Sequence, residues 1–285
     1  MLHDTSSLFA EDTLFVIVIY NCVITQSIAF QSLLNTDASL HAKDIFVYDN
    51  SVSAQEIPSI NGIIHYYHNP FNAGVSAAYN KGFSKAKQLN KKWLLLLDQD
   101  TKLPTDALKK YIQNISIYSD KSIFVPTLMD GDQRVSPFKL RWGRGIKITS
   151  RQPGVHSFRH LCVINSGLLI SSKLFESAGG YDERFPLDFS DLVFVERLSL
   201  LTSEFVLVDT LFLHSLSSQQ DKHVPTSVLL SRFKKYCLAA KLAQKVSTKK
   251  VILSYIIFPR AFKLSLMKKD FRFLSTALYA LIFNR

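Results

Sequence analysis

Cysteine is scarce in this chain. Its three copies in 285 residues, Cys22, Cys162 and Cys237, are too few and too scattered for a disulfide framework or a zinc site. Cys22 and Cys162 lie in apolar, strand-like runs and read as plain core residues, which fits a reducing compartment. Long apolar runs are missing too. No stretch reaches the roughly 18–20 residues needed to span a bilayer; Val251–Phe258 and Phe273–Phe283 are shorter or interrupted by polar residues. The N-terminus, Met1 to Asp12, is polar and acidic, so no secretory signal is expected. Internal repeats and low-complexity segments are absent. Acidic residues nearly vanish from the last fifth: residues 227–285 hold 13 Lys/Arg against Asp270 alone, whereas residues 1–226 hold 21 Lys/Arg and 22 Asp/Glu. The net charge of +11 is therefore a property of the tail. That argues against a nucleic-acid-binding core and for a basic appendage.

What is present reads as an α/β domain. A hydrophobic content of 47% with 20% charged residues fits a globular protein. Apolar runs at Leu14–Tyr20, Asp44–Tyr48, Ile63–Tyr67 and Trp93–Leu97 predict strands. Helical patterns lie between them, at about Gln26–Leu34 and from Asn72, where Val75, Tyr79, Phe83 and Ala86 share a face. This alternation predicts a parallel, doubly wound sheet. Further on, the sequence predicts a helix at Thr105–Tyr118, a strand at Ser122–Val125 broken by Pro126, and an irregular or hairpin region over 130–156. It also predicts a strand within His160–Ser171, a short helix at Lys173–Ala178, and a loop entering a helix over Pro186–Leu201. Two short strands, Phe205–Val208 and Leu211–Leu213, come before the basic helical segments that start at Ser227.

The stretch Trp93–Thr101 carries the chemistry. Four leucines lead into Asp98-Gln99-Asp100. In open α/β sheets ligands bind beyond the carboxyl ends of the strands. Residues i and i+2 of an extended chain point to one side. Two carboxylates so placed suit a hard divalent cation shared with a diphosphate; taken alone, they equally suit the cap of a turn and helix. Asn21 and Asp49 end two other strands and would line the same crevice. Asp191, set among apolar residues, is costly to bury unpaired, and Arg197 is its natural partner if its role is structural. His214 follows an apolar strand and reads as a core histidine or a ligand. His65, His68, His156, His160 and His223 read as ordinary residues, and Tyr66, Tyr67 and Phe71 as packing. A triphosphate-holding, Gly-rich basic loop after the first strand is missing, which argues against a sugar-phosphate nucleotidyltransferase.

The ordered set of Tyr20-Asn21, Asp49-Asn50-Ser51, Asn72-Ala73-Gly74 through Asn80-Lys81-Gly82, Asp98-Gln99-Asp100, Asn165-Ser166-Gly167, Asp188-Phe189-Ser190-Asp191 and Leu213-His214-Ser215 resembles glycosyltransferase family 2. The resemblance covers about Phe15–Leu216. Within the family the chain looks most like bacterial rhamnosyltransferases of polysaccharide assembly. The resemblance implies a GT-A fold: a Rossmann-like, mostly parallel sheet with helices on both faces. It implies an inverting, metal-dependent transferase that moves a sugar, L-rhamnose from dTDP-rhamnose, onto a lipid-linked saccharide in cell-surface polysaccharide (O-antigen) assembly. Carried onto this sequence, it places Tyr20, Asn21, Asp49, Asn72, Gly74, Asn80 and Asp98 about the nucleotide, with Asp49 on the base and Asp98 facing the ribose or metal. Asp100 and His214 would hold Mg²⁺ or Mn²⁺ on the diphosphate. Asp191 would be the general base, and Asp188, Arg197 and Asn165 would border the acceptor or donor-sugar pocket. Two positions depart from the family pattern. Val193 stands where an acidic residue is frequent, and Ser217 stands where glycine is frequent.

These readings divide the chain into a transferase domain at 1–226 and a basic helical region at 227–285. The basic, aromatic-rich tail suits an anionic membrane surface, or a helical subdomain with solvated lysines. The expected setting is the inner face of the cell membrane, held peripherally. Two alternatives remain open: a UDP-hexose or galactofuranose donor on the same fold, and a catalytically impaired membrane-surface binding protein.

Overall fold

The computed structural model describes residues 9–36, 43–60, 62–149, 151–214 and 224–283. Ser215, Ser217 and His223 lie outside the described residues, as does most of the acidic N-terminus. The chain divides into two compact units, one drawn from Met1–Phe138 and Lys147–His214, the other from Lys139–Ile146 and Ser215–Arg285.

The first unit is built on four parallel strands: β1 (Thr13–Ile19), β2 (Lys43–Asp49), β3 (Gly62–His68) and β4 (Trp93–Asp98). β1 is buried along its whole length because both faces are covered. Its alternation sorts the layers. Phe15, Ile17 and Ile19 join a core with Ala29, Phe30 and Leu33 of α1 (Ile28–Leu34) and Ala107, Leu108 and Tyr111 of α3 (Ala107–Ile117). On the other face, Val16 lies so close to Gly82 of α2 (Gly74–Gln88) that a Cβ there would approach it to 2.7 Å.

The sheet runs in the order β10-β12-β6-β11-β4-β1-β2-β3. β6 is Ile123–Asp130, β10 Gly154–Ser157, β11 Leu168–Ser171 and β12 Glu204–His214. β11 is antiparallel to both β4 and β6, and β12 is parallel to β6. β12 therefore points the same way as β4. Two short strands complete the sheet: β5 (Thr101–Lys102) pairs with the end of β12, and β7 (Gln133–Ser136) with β6. Two helices precede β12: α4 (Ser172–Ser177) and α5 (Ser190–Leu201).

Four expectations are corrected here. β6 is not broken by Pro126. β11 pairs with β6 only at Ile123 and Phe124, and the β12 register shifts between Leu207 and Leu211, so the missing N–H falls where the ladder is already irregular. For the same reason the two short strands expected at 205–213 are one strand with a bulge. The strand expected within His160–Ser171 covers only Leu168–Ser171; His160–Gly167 is an irregular segment. Cys22, read as core, is half-buried in the turn after β1.

The second unit comprises a hairpin, β8 (Lys139–Arg141) with β9 (Arg144–Ile146), and three helices. The helices are α6 (Thr226–Val246), α7 (Leu253–Lys268) and α8 (Arg272–Ile282). Trp142 and Gly143 take positive φ, which matches a two-residue hairpin turn. The turn is seated on α7: Ile252 N–H donates to Trp142 O, and the Trp142 ring meets Tyr255 edge-on at 5.3 Å. Among the described residues no helix is long and apolar enough to cross a membrane.

Candidate active site

Parallel β1, β2, β4 and β12 deliver their carboxyl ends to one edge of the sheet. Antiparallel β11 delivers its amino end there. Tyr20, Asn21, Asp49, Asp98, Asp100, His214 and the Asn165-Ser166-Gly167 turn therefore converge on that edge.

The Asp98–Asp100 turn is fixed from three sides. Gln99 Oε1 accepts from Tyr20 N–H at 2.7 Å, and its backbone carbonyl accepts from Ser27 Oγ (3.0 Å) and Ala29 N–H (3.1 Å). Ser166 Oγ accepts from Asp98 N–H at 2.9 Å and lies 2.5 Å from Thr101 Oγ1. Thr101 pairs with His214 across β5 and β12, and its hydroxyl is 2.8 Å from His214 Nδ1. This pairing brings Asp100 Oδ1 to 3.4 Å from the same nitrogen. Nε2 is then the candidate ligand atom of the ring. Burial raises the Asp100 carboxyl, His214 pulls it down, and Asp98 pushes it up again; the net direction is upward. Two crowded carboxylates beside an imidazole fit a divalent cation. Among the described residues no group of three or more His, Cys, Asp or Glu side chains is placed to hold a metal ion by itself. A cation there would draw its remaining ligands from diphosphate oxygens and water. Asp98 Oδ1 also accepts from Tyr79 OH at 2.7 Å.

Asp49 is fully buried and already satisfied. Ser51 N–H (2.8 Å), Gln55 Nε2 (2.7 Å) and Tyr66 OH (2.8 Å) all donate to its carboxylate. Burial pushes this carboxyl up, but the hydrogen bonds from Ser51, Gln55 and Tyr66 outweigh it and hold it below its ordinary value. Tyr66 thus does more than pack. Gln55, which no sequence pattern singles out, ties the ends of β1 and β2 together and reaches β3 by donating its N–H to Tyr66 OH at 3.1 Å. Its amide also donates to Cys22 O (3.1 Å), and its carbonyl accepts from Ile24 N–H (2.7 Å). Asn21 takes φ 49° and donates its N–H to Ser51 Oγ.

Asn72-Ala73-Gly74 forms the entry to α2. Asn72 has φ 49° and is exposed. At Gly74 (φ +87°) an added Cβ would fall 2.1 Å from Pro186 O. The same carbonyl accepts from Val75 N–H at 2.7 Å, and Ser76 Oγ donates to Phe185 O at 2.6 Å. The start of α2 is thereby pinned to the loop that carries Asp188 and leads into α5, where Asp191 sits in the first turn. Asn80 lies further along α2, and its amide is engaged by Tyr181 and Glu183. It lines a recess of about 310 Å³ with Tyr48, Asn69 and Lys81, which the crevice carboxylates do not line.

Asp191 opens α5, directly after Phe189 and Ser190. Phe189 is held at φ 69°, a strained conformation for a bulky residue. Asp191 Oδ1 accepts its neighbour Leu192 N–H at 2.8 Å. Burial raises this carboxyl to about 6, with Asp98 and Asp188 adding to the rise and Leu192 opposing it. Arg197 does not pair with Asp191. It donates to Gly180 O (3.1 Å) and Asp182 (2.9 Å). Among the described residues the Asp191 carboxylate has no cationic partner. Tyr181 stacks on Phe194 at 3.9 Å and donates to Asn165 Oδ1 at 2.8 Å, packing Asn165 against the same aromatic layer. Val193, the departure from the family pattern, is buried.

Residues 15–176 match the family model described as Glycosyl transferase family 2. No curated protein sequence matches the chain. Among solved structures, Staphylococcus aureus TarS 1-349 in complex with UDP is similar at 11% identity and a TM-score of 0.56, over 95% of this chain and 81% of that one. The same protein in complex with UDP-GlcNAc gives 11% identity and 0.55, over 93% and 73%. GalNAc-T7 with UDP, GalNAc and Mn²⁺ gives 14% identity and 0.52, over 94% of this chain and 57% of that one. At such identities these likenesses speak for the fold.

Proposed function

The chain belongs to glycosyltransferase family 2, and on that premise we propose that it transfers a sugar from a nucleoside-diphosphate donor to a saccharide hydroxyl, with inversion and with help from a divalent cation. The observation that carries this reading is the pairing of Asp191 with the Asp98–Asp100 turn. Among the described residues Asp191 has no cationic partner, and burial together with Asp98 raises its carboxyl to about 6; two residues on from Asp98, Asp100 stands beside His214 as the acidic group suited to a cation. That is the division of labour a single displacement requires.

Asp191 accepts the proton of the acceptor hydroxyl as its oxygen attacks the anomeric carbon. The bond from that carbon to the diphosphate oxygen breaks, and the electron pair leaves with the diphosphate. A base titrating near 6 is ionised at neutral pH, yet close enough to the working pH to take a proton effectively. Asp100 and His214 would hold a divalent cation, and such an ion would supply neutralisation of the charge on a departing diphosphate. The Mn²⁺ and UDP in the GalNAc-T7 structure support that pairing. Tyr20, Asn21, Asp49, Asn72, Gly74 and Asp98 shape the nucleotide pocket, with Asp49 as a rigid, pre-ionised acceptor beside it. Asn80 braces the 181–183 loop. Asp188, Arg197 and Asn165 border the sugar pocket, Arg197 acting through its hold on Asp182.

dTDP-L-rhamnose is the first donor proposed, on the sequence resemblance. A UDP-sugar is the second, favoured by the UDP and UDP-GlcNAc complexes of TarS. The acceptor proposed is a lipid-linked saccharide at the inner face of the membrane, because the cationic excess is confined to the C-terminal helices. Calorimetry with dTDP and UDP, with and without Mn²⁺, on wild type and Asp100→Ala tests the core of this reading. Metal-dependent binding of one nucleotide, lost in the variant, is expected, and the preferred base decides the donor class. Failure of both nucleotides to bind would overturn the enzymatic assignment of the crevice.

A further inference from the structure

The second unit carries 17 Lys/Arg against two acids, Asp221 and Asp270. One of those acids is spent locally: Asp270 is bound by Arg272 through two short contacts of 2.7 and 3.0 Å. Against this cationic background α8 turns an apolar stripe outward. Its buried side is small and close-packed, with Phe273, Ala277 and Ala280 against α6 and α7. Phe271, Leu278 and Ile282 recur at i, i+7 and i+11 and so share one stripe. They are 80%, 48% and 68% exposed, and Tyr279 beside them is 65% exposed. On α7, Phe262 and Leu266 are likewise exposed, one turn apart, with Lys263 and Lys269 exposed nearby. Among the described residues these side chains lie outside the buried core.

We infer that α8 lies in the headgroup region of an anionic phospholipid bilayer, its Phe271–Leu278–Ile282 stripe entering the acyl boundary while the lysines of the unit face the lipid phosphates. Charge decides the occupant. A second copy of this unit on the stripe would bring two strongly cationic bodies together, whereas an anionic lipid surface neutralises one. A helix with one apolar face and a cationic surround binds in the interface plane without spanning it. The inference gives the proposed lipid-linked acceptor its setting, and binding itself needs neither nucleotide nor acceptor.

The test is cosedimentation of the full chain with phosphatidylglycerol–phosphatidylcholine vesicles and with pure phosphatidylcholine vesicles, at low and high salt. Wild type is expected to bind the anionic vesicles, to lose them as salt rises, and to leave the neutral ones in solution. The triple variant Phe271→Ser, Leu278→Ser, Ile282→Ser is expected to lower the partition coefficient by about tenfold or more. Lys263→Glu with Lys269→Glu, which leaves the stripe intact, is expected to weaken anionic binding and its salt dependence together. Unchanged nucleotide binding by the variants reports that the first unit is folded, and keeps failure here distinct from failure of the enzymatic reading. Three outcomes overturn the inference: wild type that ignores anionic vesicles, a triple variant that binds as well as wild type, or a wild-type dimer that the triple variant converts to monomer.

Discussion

Asp191 answers to two opposing demands. Its carboxyl is lifted from 3.8 to about 6 by burial and by Asp98 and Asp188. The folded protein therefore retains a proton that the unfolded chain has released across that window. Stability falls as pH rises through it. Asp191→Asn is expected to stabilise the protein at pH 7 by on the order of 1–2 kcal/mol, with the gain fading below pH 4 in thermal melts. The same substitution should lower transfer by about 10²–10⁴-fold while leaving nucleotide affinity intact. In wild type, kcat/KM should fall on the acid side of about 6 as the base takes up its proton. Asp49 behaves in the opposite sense. Its carboxyl is held below its ordinary value, so its hydrogen bonds stabilise the fold at neutral pH and are lost as pH falls through that depressed value. Tyr66→Phe removes one of its three donors and should cost about 1–2 kcal/mol in urea titrations at pH 7, with a smaller loss in acid.

At the scale of elements, the pin between α2 and the base-bearing loop dominates. Gly74→Ala would force a Cβ into Pro186 O and require a positive φ that alanine resists. We expect a loss of about 1–3 kcal/mol in stability, and a drop in kcat larger than the change in nucleotide affinity, since the displaced loop leads into the first turn of α5 and the proposed base Asp191. The sequence revealed the four parallel strands and their polar ends because runs such as Leu14–Ile19 and Trp93–Leu97 are apolar without interruption, the pattern of a strand buried on both faces. It misled at Pro126 and across 205–213, where a bulge on one strand accommodates a proline on its neighbour; that compensation is tertiary and leaves no local pattern. The site was legible as residue types, not as partnerships. Sequence places Arg197 beside Asp191, whereas in space it binds Asp182. Gln55 has no signature in the sequence, because a lone glutamine in a loop carries no periodicity. For 130–156 the sequence leaves an irregular segment and a hairpin both open; Lys139–Ile146 takes the hairpin, and its turn at Trp142 and Gly143 rests on α7, a contact with no local signature.

On the scale of the whole molecule, charge and function are segregated. The first unit holds the crevice, whose carboxylates and imidazole are crowded before any ligand arrives. Binding energy spent there should appear as stability. At about one hundred times Kd, a nucleoside diphosphate with Mn²⁺ is expected to add about 2.7 kcal/mol. It should raise the melting temperature of wild type, and EDTA should reverse the rise. Asp100→Ala should melt at the same temperature with and without the pair.

The hydrogen bonds from Val75 to Pro186 and from Ser76 to Phe185 carry a kinetic corollary. Under the proposed assignment one segment would border the donor and the other would lead into the base, so each substrate would be felt by the other's half of the cleft. Whatever factor the donor nucleotide contributes to acceptor affinity, the acceptor must return to the nucleotide, and a single displacement through both halves should give sequential rather than ping-pong steady-state patterns.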